Sequence, residues 1–161
     1  MSKLGLDPEI LEAMNEPLSD RELLSLVEGK ANLLTYDEFA KYDNIDAALG
    51  KYGALIILYL TDQNMGHWTC VFRNQDYDLE FFDSYGYKPD DEFAFIPEFF
   101  RAYYQQIKPH LSKLLYDSGY GIIYNEHPLQ SSESFLRGED PPSTCGYWVA
   151  CRLNARDKPL E

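Results

Sequence analysis

After 18 acidic and weakly patterned residues, hydrophobic positions in the first third of the chain are preceded by helix-capping signals. Residues 19–22 (Ser-Asp-Arg-Glu) have the sequence of a capping box, which predicts a helix that begins after Ser19 and ends at Gly29. Residues 35–38 (Thr-Tyr-Asp-Glu) repeat the signal before Phe39. Two short helices are therefore expected before residue 50.

The middle of the chain has the pattern of strands instead. Residues 54–60 are apolar without alternation, which predicts a strand that is buried on both faces. Residues 67–72 and 79–83 form two further strand candidates on either side of a polar loop, residues 73–77. Residues 121–125 are a fourth candidate. These segments predict a central sheet.

Proline and threonine mark the expected helices of the second half. Pro97 suits the first turn of a helix over residues 98–107, Pro109 interrupts it, and residues 111–116 resume it. Thr144 is a good N-cap for a last helix from residue 145 to about 155. This order of elements predicts an α+β fold with a central, mostly antiparallel sheet flanked by helices. We expect one domain over residues 1–161, with a helical N-terminal segment (1–50) and a core at 53–155.

Composition restricts the partners of such a domain. Its 14 basic and 27 acidic residues give a net charge of -13 without a local basic patch, so a nucleic-acid partner is not expected. No apolar run is long enough for a bilayer and no signal peptide is evident, so we expect neither membrane association nor secretion. The three cysteines show no zinc-type spacing, which predicts free thiols in a reducing compartment and no metal or cofactor.

One histidine and one aspartate are expected to meet across the hairpin. If the hairpin is symmetric about Gln75, Phe72 pairs with Asp78 and His67 lies opposite Asp83. The carboxylate would then accept the Nδ1–H of the imidazole and fix its tautomer. The alternative is a solvated pair at a sheet edge. Two other histidines, His110 and His127, are interpreted as structural or solvated.

Cys145 is the candidate nucleophile. It lies at the predicted N-terminus of the last helix, where unpaired N–H groups and the helix dipole favour an anion. Gly146 leaves room for a substrate carbonyl, and the Cys145 N–H could donate to an oxyanion. Cys70 and Cys151 are interpreted as small buried hydrophobic residues. Gln130 is a candidate oxyanion donor, although a glutamine near a loop is usually solvated.

These residues occur in short motifs that resemble a known family. Gly-His-Trp at 66–68, Phe-Phe-Asp-Ser-Tyr-Gly at 81–86, Pro-Leu-Gln at 128–130 and Thr-Cys-Gly-Tyr-Trp at 144–148 closely resemble the His–Asp–Gln–Cys cysteine peptidases. That group contains the adenovirus maturation protease (adenain), proteases of virophages, large DNA viruses and Maverick-type transposons, and the ubiquitin-like-protein-specific proteases. The resemblance spans roughly residues 53 to 153.

The resemblance implies an adenain-like fold and a role for each site residue. His67 would be the general base, Asp83 its orienter, Cys145 the nucleophile and Gln130 an oxyanion donor. Trp68 would form an aromatic wall of the substrate cleft beside Gly146, the alternative being a core tryptophan. Relatives have a shorter stretch than residues 131–143 between Gln and Cys, so a loop that overhangs the cleft is expected. Gln105 and Gln106 are poorer candidates for the oxyanion donor.

The expected function is that of a thiol endopeptidase that acts through a thioester. About fifty residues precede the core, which favours a viral or mobile-element maturation protease over cellular relatives with longer extensions. Its substrates would be structural precursors cut after small residues, above all Gly, in the host cytoplasm or the virion. The alternative is a protease for ubiquitin-like modifiers, for which the acidic charge favours ubiquitin over SUMO. An acetyltransferase is less favoured, and a non-enzymatic binding module least.

Overall fold

A five-stranded mixed sheet forms the centre of the computed structural model, which describes residues 19–62, 65–96, 98–103, 106, 108–125 and 144–156. The strands, in their order across the sheet, are β1 (Asn32–Thr35), β2 (Ala54–Asp62), β3 (Met65–Arg73), β4 (Leu79–Phe82) and β5 (Ile122–Tyr124). β2–β3 and β3–β4 are antiparallel, whereas β1–β2 and β4–β5 are parallel. The α+β class is confirmed. The sheet is mixed: the expected antiparallel pairing holds for the three central strands, whereas both edge strands pair in parallel across helical crossovers.

Helices surround this sheet. They are α1 (Asp20–Leu26), α2 (Tyr36–Phe39), α3 (Ile45–Leu49), a 3₁₀ helix (Asp91–Phe95), α4 (Glu98–Tyr103), α5 (His110–Asp117) and α6 (Thr144–Asn154). No helix among these described segments has the length and apolar character that a bilayer crossing requires.

The predicted helix starts in the first third are confirmed by their caps. Ser19 Oγ accepts the Glu22 N–H at 3.1 Å, and the Glu38 carboxylate accepts the Thr35 N–H at 3.0 Å. α3 and the strand β1 were not expected, so the segment before residue 50 is not purely helical. Since β1 pairs with β2 from Asn32 onward, this segment belongs to the same sheet as the rest.

Two apolar clusters lie on the two faces of the sheet. In β2, Leu55, Ile57 and Tyr59 belong to the first cluster, whereas Ala54 and Ile56 belong to the second. All five are 0% exposed, which confirms the predicted burial of this strand on both faces. Each buried Leu or Ile stabilises the fold by roughly 1.5–3 kcal/mol relative to exposure.

The hairpin between β3 and β4 has a different register from the predicted one. Phe72 pairs with Glu80, not Asp78, and the ladder ends with Arg73 opposite Leu79, so the hairpin is centred on Asp76. Its loop is closed by the Asn74 N–H, which donates to the Asp78 carbonyl at 2.9 Å. Tyr77 takes the left-handed conformation, with φ of +62°, that such a loop needs. The predicted register is wrong because no glycine marks the left-handed position of this loop in the sequence.

Candidate active site

His67 and Asp83 form a buried pair at the end of the β3–β4 hairpin. The distance from His67 Nε2 to Asp83 Oδ1 is 2.8 Å, and the two residues are 3% and 1% exposed. The alternative of a solvated pair at a sheet edge is therefore wrong. The contact joins residues that lie diagonally, since the observed register sets Asp83 beyond the end of β4. The observed register differs from the predicted one by two residues. Because side chains alternate between the two faces of a strand, such a shift leaves each side chain on the same face of the sheet, so His67 and Asp83 still meet.

The pairing nitrogen is Nε2, not the expected Nδ1. Nε2 is the outer atom of the ring and reaches farther from the strand than Nδ1, which suits a diagonal partner. The strand backbone also approaches closely here, because a Cβ on Gly66 would lie 2.4 Å from Leu58 Cδ1 and 2.7 Å from the Tyr59 carbonyl oxygen. Glycine before His67 thus allows β2 and β3 to pack as they do.

The Asp83 carboxylate is oriented by the turn that it begins. The Tyr85 N–H donates to Asp83 Oδ1 at 2.8 Å, and the Gly86 N–H donates to the Asp83 carbonyl at 2.8 Å. Gly86 has φ of +78°, which a residue without Cβ adopts without strain. Asn125, just after β5, accepts the Asp83 N–H at 3.0 Å and donates to its carbonyl at 2.6 Å. The backbone of Asp83 is therefore held from two sides.

Tyr85 also contacts the histidine. Its ring stacks on the imidazole with centroids 4.5 Å apart and an angle of 17° between the planes, and the residue is 6% exposed. The sequence did not predict the roles of Tyr85 and Asn125. Tyr85 lies inside the Asp-Ser-Tyr-Gly motif, so a turn could have been expected there, but the stacking depends on how the turn folds back onto β3.

Cys145 lies in the first turn of α6, as predicted, and is 0% exposed. The Trp68 N–H donates to Cys145 Sγ at 3.4 Å. This amide lies beyond the last β3–β4 pair, Cys70 with Phe82, at a point where β4 has ended. The sulfur therefore contacts the backbone of the residue that follows His67. Direct contact between Sγ and the imidazole stays a prediction.

The other two cysteines differ from each other. All three thiols are free. Cys70 is fully buried on the opposite face of β3 from His67, as expected, and its pKa is raised by burial and then by the negative charge of Glu80. Cys151 is exposed, so its predicted burial is wrong. Six residues after Cys145 in a helix of 3.6 residues per turn, it points away from the sheet-facing side.

Trp68 and Gly146, the predicted substrate-binding residues, are both neighbours of Cys145: the Trp68 N–H contacts its sulfur, and Gly146 follows it in α6. Trp68 is 7% exposed and packs in the second apolar cluster with Cys145, so its alternative role as a core tryptophan matches its burial. Gly146 is buried in the first turn of α6. Whether either residue borders a substrate stays a prediction.

Gln130, His127 and the stretch 131–143 lie outside the described residues, as does Gln105. Gln106 is fully buried, and its amide pairs with the backbone of Leu60, accepting the N–H and donating to the carbonyl at 2.7 Å each. It extends the hydrogen bonding of β2 and serves the fold. His110 contacts the Tyr42 carbonyl at 2.7 Å, which confirms its structural interpretation.

A cleft of about 440 Å³ lies at the other end of α6. Its walls come from the end of α1 and from residues that include Tyr52, Leu153 and Arg156. Because Cys145 lies at the N-terminus of α6 and these residues follow its C-terminus, the cleft is separate from the His67–Asp83 pair.

Comparison with known proteins shows that the chain is similar in sequence to a virophage protein. It is 38% identical over 136 residues to a protein of Sputnik virophage that carries the name "Uncharacterized protein V9". The match covers 84% of this chain and 74% of the relative. No family model matches the sequence.

Proposed function

Because the chain belongs to the same protein family as protein V9 of Sputnik virophage, and is thus virophage-related, we propose that it is a viral cysteine endopeptidase. The proposal includes the adenain-like type of fold and the cleavage of structural precursor proteins. One observation carries it: His67 and Asp83 form a buried imidazole–carboxylate pair, and the backbone N–H of Trp68, the residue after the histidine, donates to the sulfur of Cys145.

His67 would act as the general base through Nδ1. Its Nε2 contacts the Asp83 carboxylate at 2.8 Å, so a neutral ring that donates from Nε2 has its lone pair on Nδ1. Stacking against Tyr85 and the hydrogen bonds that hold Asp83 fix the plane of the ring. Such an orienting group keeps the base in the productive tautomer and stabilises the imidazolium when it forms.

Cys145 would supply the nucleophile. Its proton passes to His67, and the sulfur forms a bond to the carbon of the scissile carbonyl, whose oxygen takes up the negative charge. The Cys145 N–H and, in this proposal, the Gln130 amide donate to that oxygen. The imidazolium then gives the proton to the leaving amine as the peptide bond breaks. Water hydrolyses the thioester, releases the acid and restores the thiol.

A small residue, above all Gly, is proposed before the cut. Cys145 is followed by Gly146, which has no side chain. Cys145 itself packs in the same apolar cluster as Trp68 of β3. A confined site rejects an added methyl group by roughly 1–3 kcal/mol, which is a tenfold or larger loss in specificity constant.

The test is a parallel assay of the purified chain against a peptide series and activity probes. Peptides that differ only in Gly, Ala, Val or Leu before the cut are read as relative kcat/KM, and ubiquitin-like probes with a reactive C-terminus are added in the same buffer. Cys145→Ala and Cys151→Ala are the matched controls, since only the first cysteine contacts the Trp68 amide. We expect hydrolysis that falls from Gly to Leu and that only Cys145→Ala abolishes.

Four other outcomes would redirect or end the proposal. Efficient probe labelling without peptide cleavage would favour the modifier protease. With acetyl-CoA added to the same peptides, acetyl transfer without hydrolysis would favour the transferase. Hydrolysis that survives in Cys145→Ala, or none in any substrate class, would rule out the proposed peptidase.

A further inference from the structure

A buried ion pair joins α6 to β4, the two elements that carry or lead to the candidate site residues. Arg152 Nε contacts Glu80 Oε2 at 2.6 Å, and Arg152 Nη2 contacts Glu80 Oε1 at 2.8 Å, so the contact has two points. The side chains are 10% and 3% exposed. Arg152 also donates to the Ala155 carbonyl at 3.1 Å, and its guanidinium lies 5.3 Å from the centre of the Phe72 ring.

The two members of the pair belong to the two elements that position the site. Arg152 is seven residues after Cys145, which is about two turns, so both side chains are on the sheet-facing side of α6. Glu80 is three residues before Asp83 and on the second-cluster face of β4, where α6 packs. The pair therefore connects the helix of the nucleophile to the strand that leads to the carboxylate.

Buried ion pairs are poor sources of stability, because desolvation of the charges offsets most of their attraction. Apolar residues of similar volume often replace them at no loss of stability. What a planar, two-point contact supplies is geometry, since it restricts both rotation of the helix about its axis and sliding along it.

We propose that Glu80 and Arg152 are positioning residues for the proposed reaction, which hold α6 in the register that sets the Cys145 sulfur beside Trp68 and His67. This inference rests on the proposed function. A slip of one residue moves a helix by about 1.5 Å and turns it by about 100°. A misplacement of about 1 Å can cost about 10²-fold in rate.

The test separates geometry from stability by exchanging the ion pair for apolar side chains. All variants carry Cys151→Ser, which removes the exposed thiol, and that single variant is the parent. The test variant is Glu80→Met with Arg152→Met. The control is Asp46→Met with Arg73→Met, which removes a 2.6 Å ion pair at another place in the fold. Urea unfolding, kcat, KM and the rate of Cys145 alkylation by iodoacetamide are measured for each.

We expect the test variant to keep the urea midpoint of the parent while kcat falls about 10²-fold and KM changes less than about threefold. The control variant should keep the parent kcat. Parent kcat in a stable test variant would overturn the proposal. If the test variant does not unfold cooperatively, kcat is measured instead for Arg152→Lys, which keeps the charge and loses the two-point contact. An unchanged kcat in Arg152→Lys would overturn the proposal.

The alkylation rate of Cys145 separates failure of the positioning role from failure of the proposed peptidase activity. If the parent hydrolyses no substrate, the alkylation rate of Cys145 still reports its position. A rate in the test variant that differs at least tenfold from the parent supports the positioning role, and an equal rate overturns it.

Discussion

Two buried aspartates, one in contact with β2 and the other with β3, have contrasting surroundings. Asp90 is 8% exposed, and its carboxylate accepts from the hydroxyls of Tyr36 and Tyr59 at 2.8 and 2.7 Å and from the Ser112 N–H and hydroxyl at 2.8 Å each. Asp83 is 1% exposed, and its Oδ1 contacts the His67 imidazole and the Tyr85 N–H.

The donors to Asp90 are groups that do not ionise near neutral pH. Burial, and after it the negative charge of Asp90, raises the pKa of both Tyr36 and Tyr59 above the usual range of tyrosine. Asp83 instead contacts a side chain whose ordinary titration lies between pH 5 and 8. A carboxylate surrounded by hydroxyls and an amide holds the fold together, whereas one paired with an imidazole can support proton transfer. Tyr59 and His67 are register partners, so the two networks are neighbours.

Removing the nucleophile should have the largest effect on activity. We expect Cys145→Ala to lower kcat/KM at least about 10³-fold, because no other group supplies the thioester. The loss of one small buried side-chain atom should cost about 1 kcal/mol of unfolding free energy. Peptide hydrolysis and urea unfolding measure the two effects. Cys151→Ala, at an exposed position, is the control that should keep parent activity; equal losses in both variants would contradict the assignment.

Asp83→Asn should be the next largest change. The amide no longer selects the tautomer with the proton on Nε2, so we expect kcat to fall by roughly 10²- to 10⁴-fold. Asp90→Asn is its matched control, with the same chemical change at the other aspartate, and should retain kcat within about threefold. If both variants lose activity alike, the contrast between the two carboxylates fails.

The free energy of unfolding should fall more in Asp90→Asn than in Asp83→Asn, which is the reverse of their order in kcat. Asp90→Asn places an NH₂ group against O–H or N–H donors, so we expect a loss of about 2–4 kcal/mol in unfolding free energy. Asn tolerates the left-handed backbone at this position, where φ is +68°, so strain adds little. Urea unfolding of both Asn variants is the measurement. A more stable Asp90→Asn than Asp83→Asn would contradict this prediction.

Alkaline pH should reveal the tyrosines of the Asp90 network. Since their folded pKa is raised, the unfolded chain releases their protons first, near pH 10, and stability is lost as pH rises from there. Each such group contributes a slope of about 1.4 kcal/mol per pH unit. Tyr59→Phe should reduce the slope by one group in urea unfolding between pH 9 and 11. An unchanged slope would show that Tyr59 does not take part.

The sequence predicted the local features of the fold well. The helix caps at Ser19 and Thr35, the buried strand β2 and the helix that carries Cys145 in its first turn all depend on side chains within a few residues of one another. Such interactions have the same physical form in any fold. For the same reason the chemical types of His67, Asp83 and Cys145 were recognisable before their geometry was known.

Tertiary structure decided how these pieces meet. Tyr77 takes a left-handed conformation in the hairpin loop although it is not a glycine, and the register of this hairpin brings Asp83 diagonally to Nε2 of His67. The parallel edges of the sheet, the exposure of Cys151 and the Glu80–Arg152 pair likewise depend on segments far apart in sequence. Neighbouring residues determine caps and burial patterns through short-range contacts. Register, ring orientation and helix rotation follow from packing the whole chain at once, which no local pattern encodes.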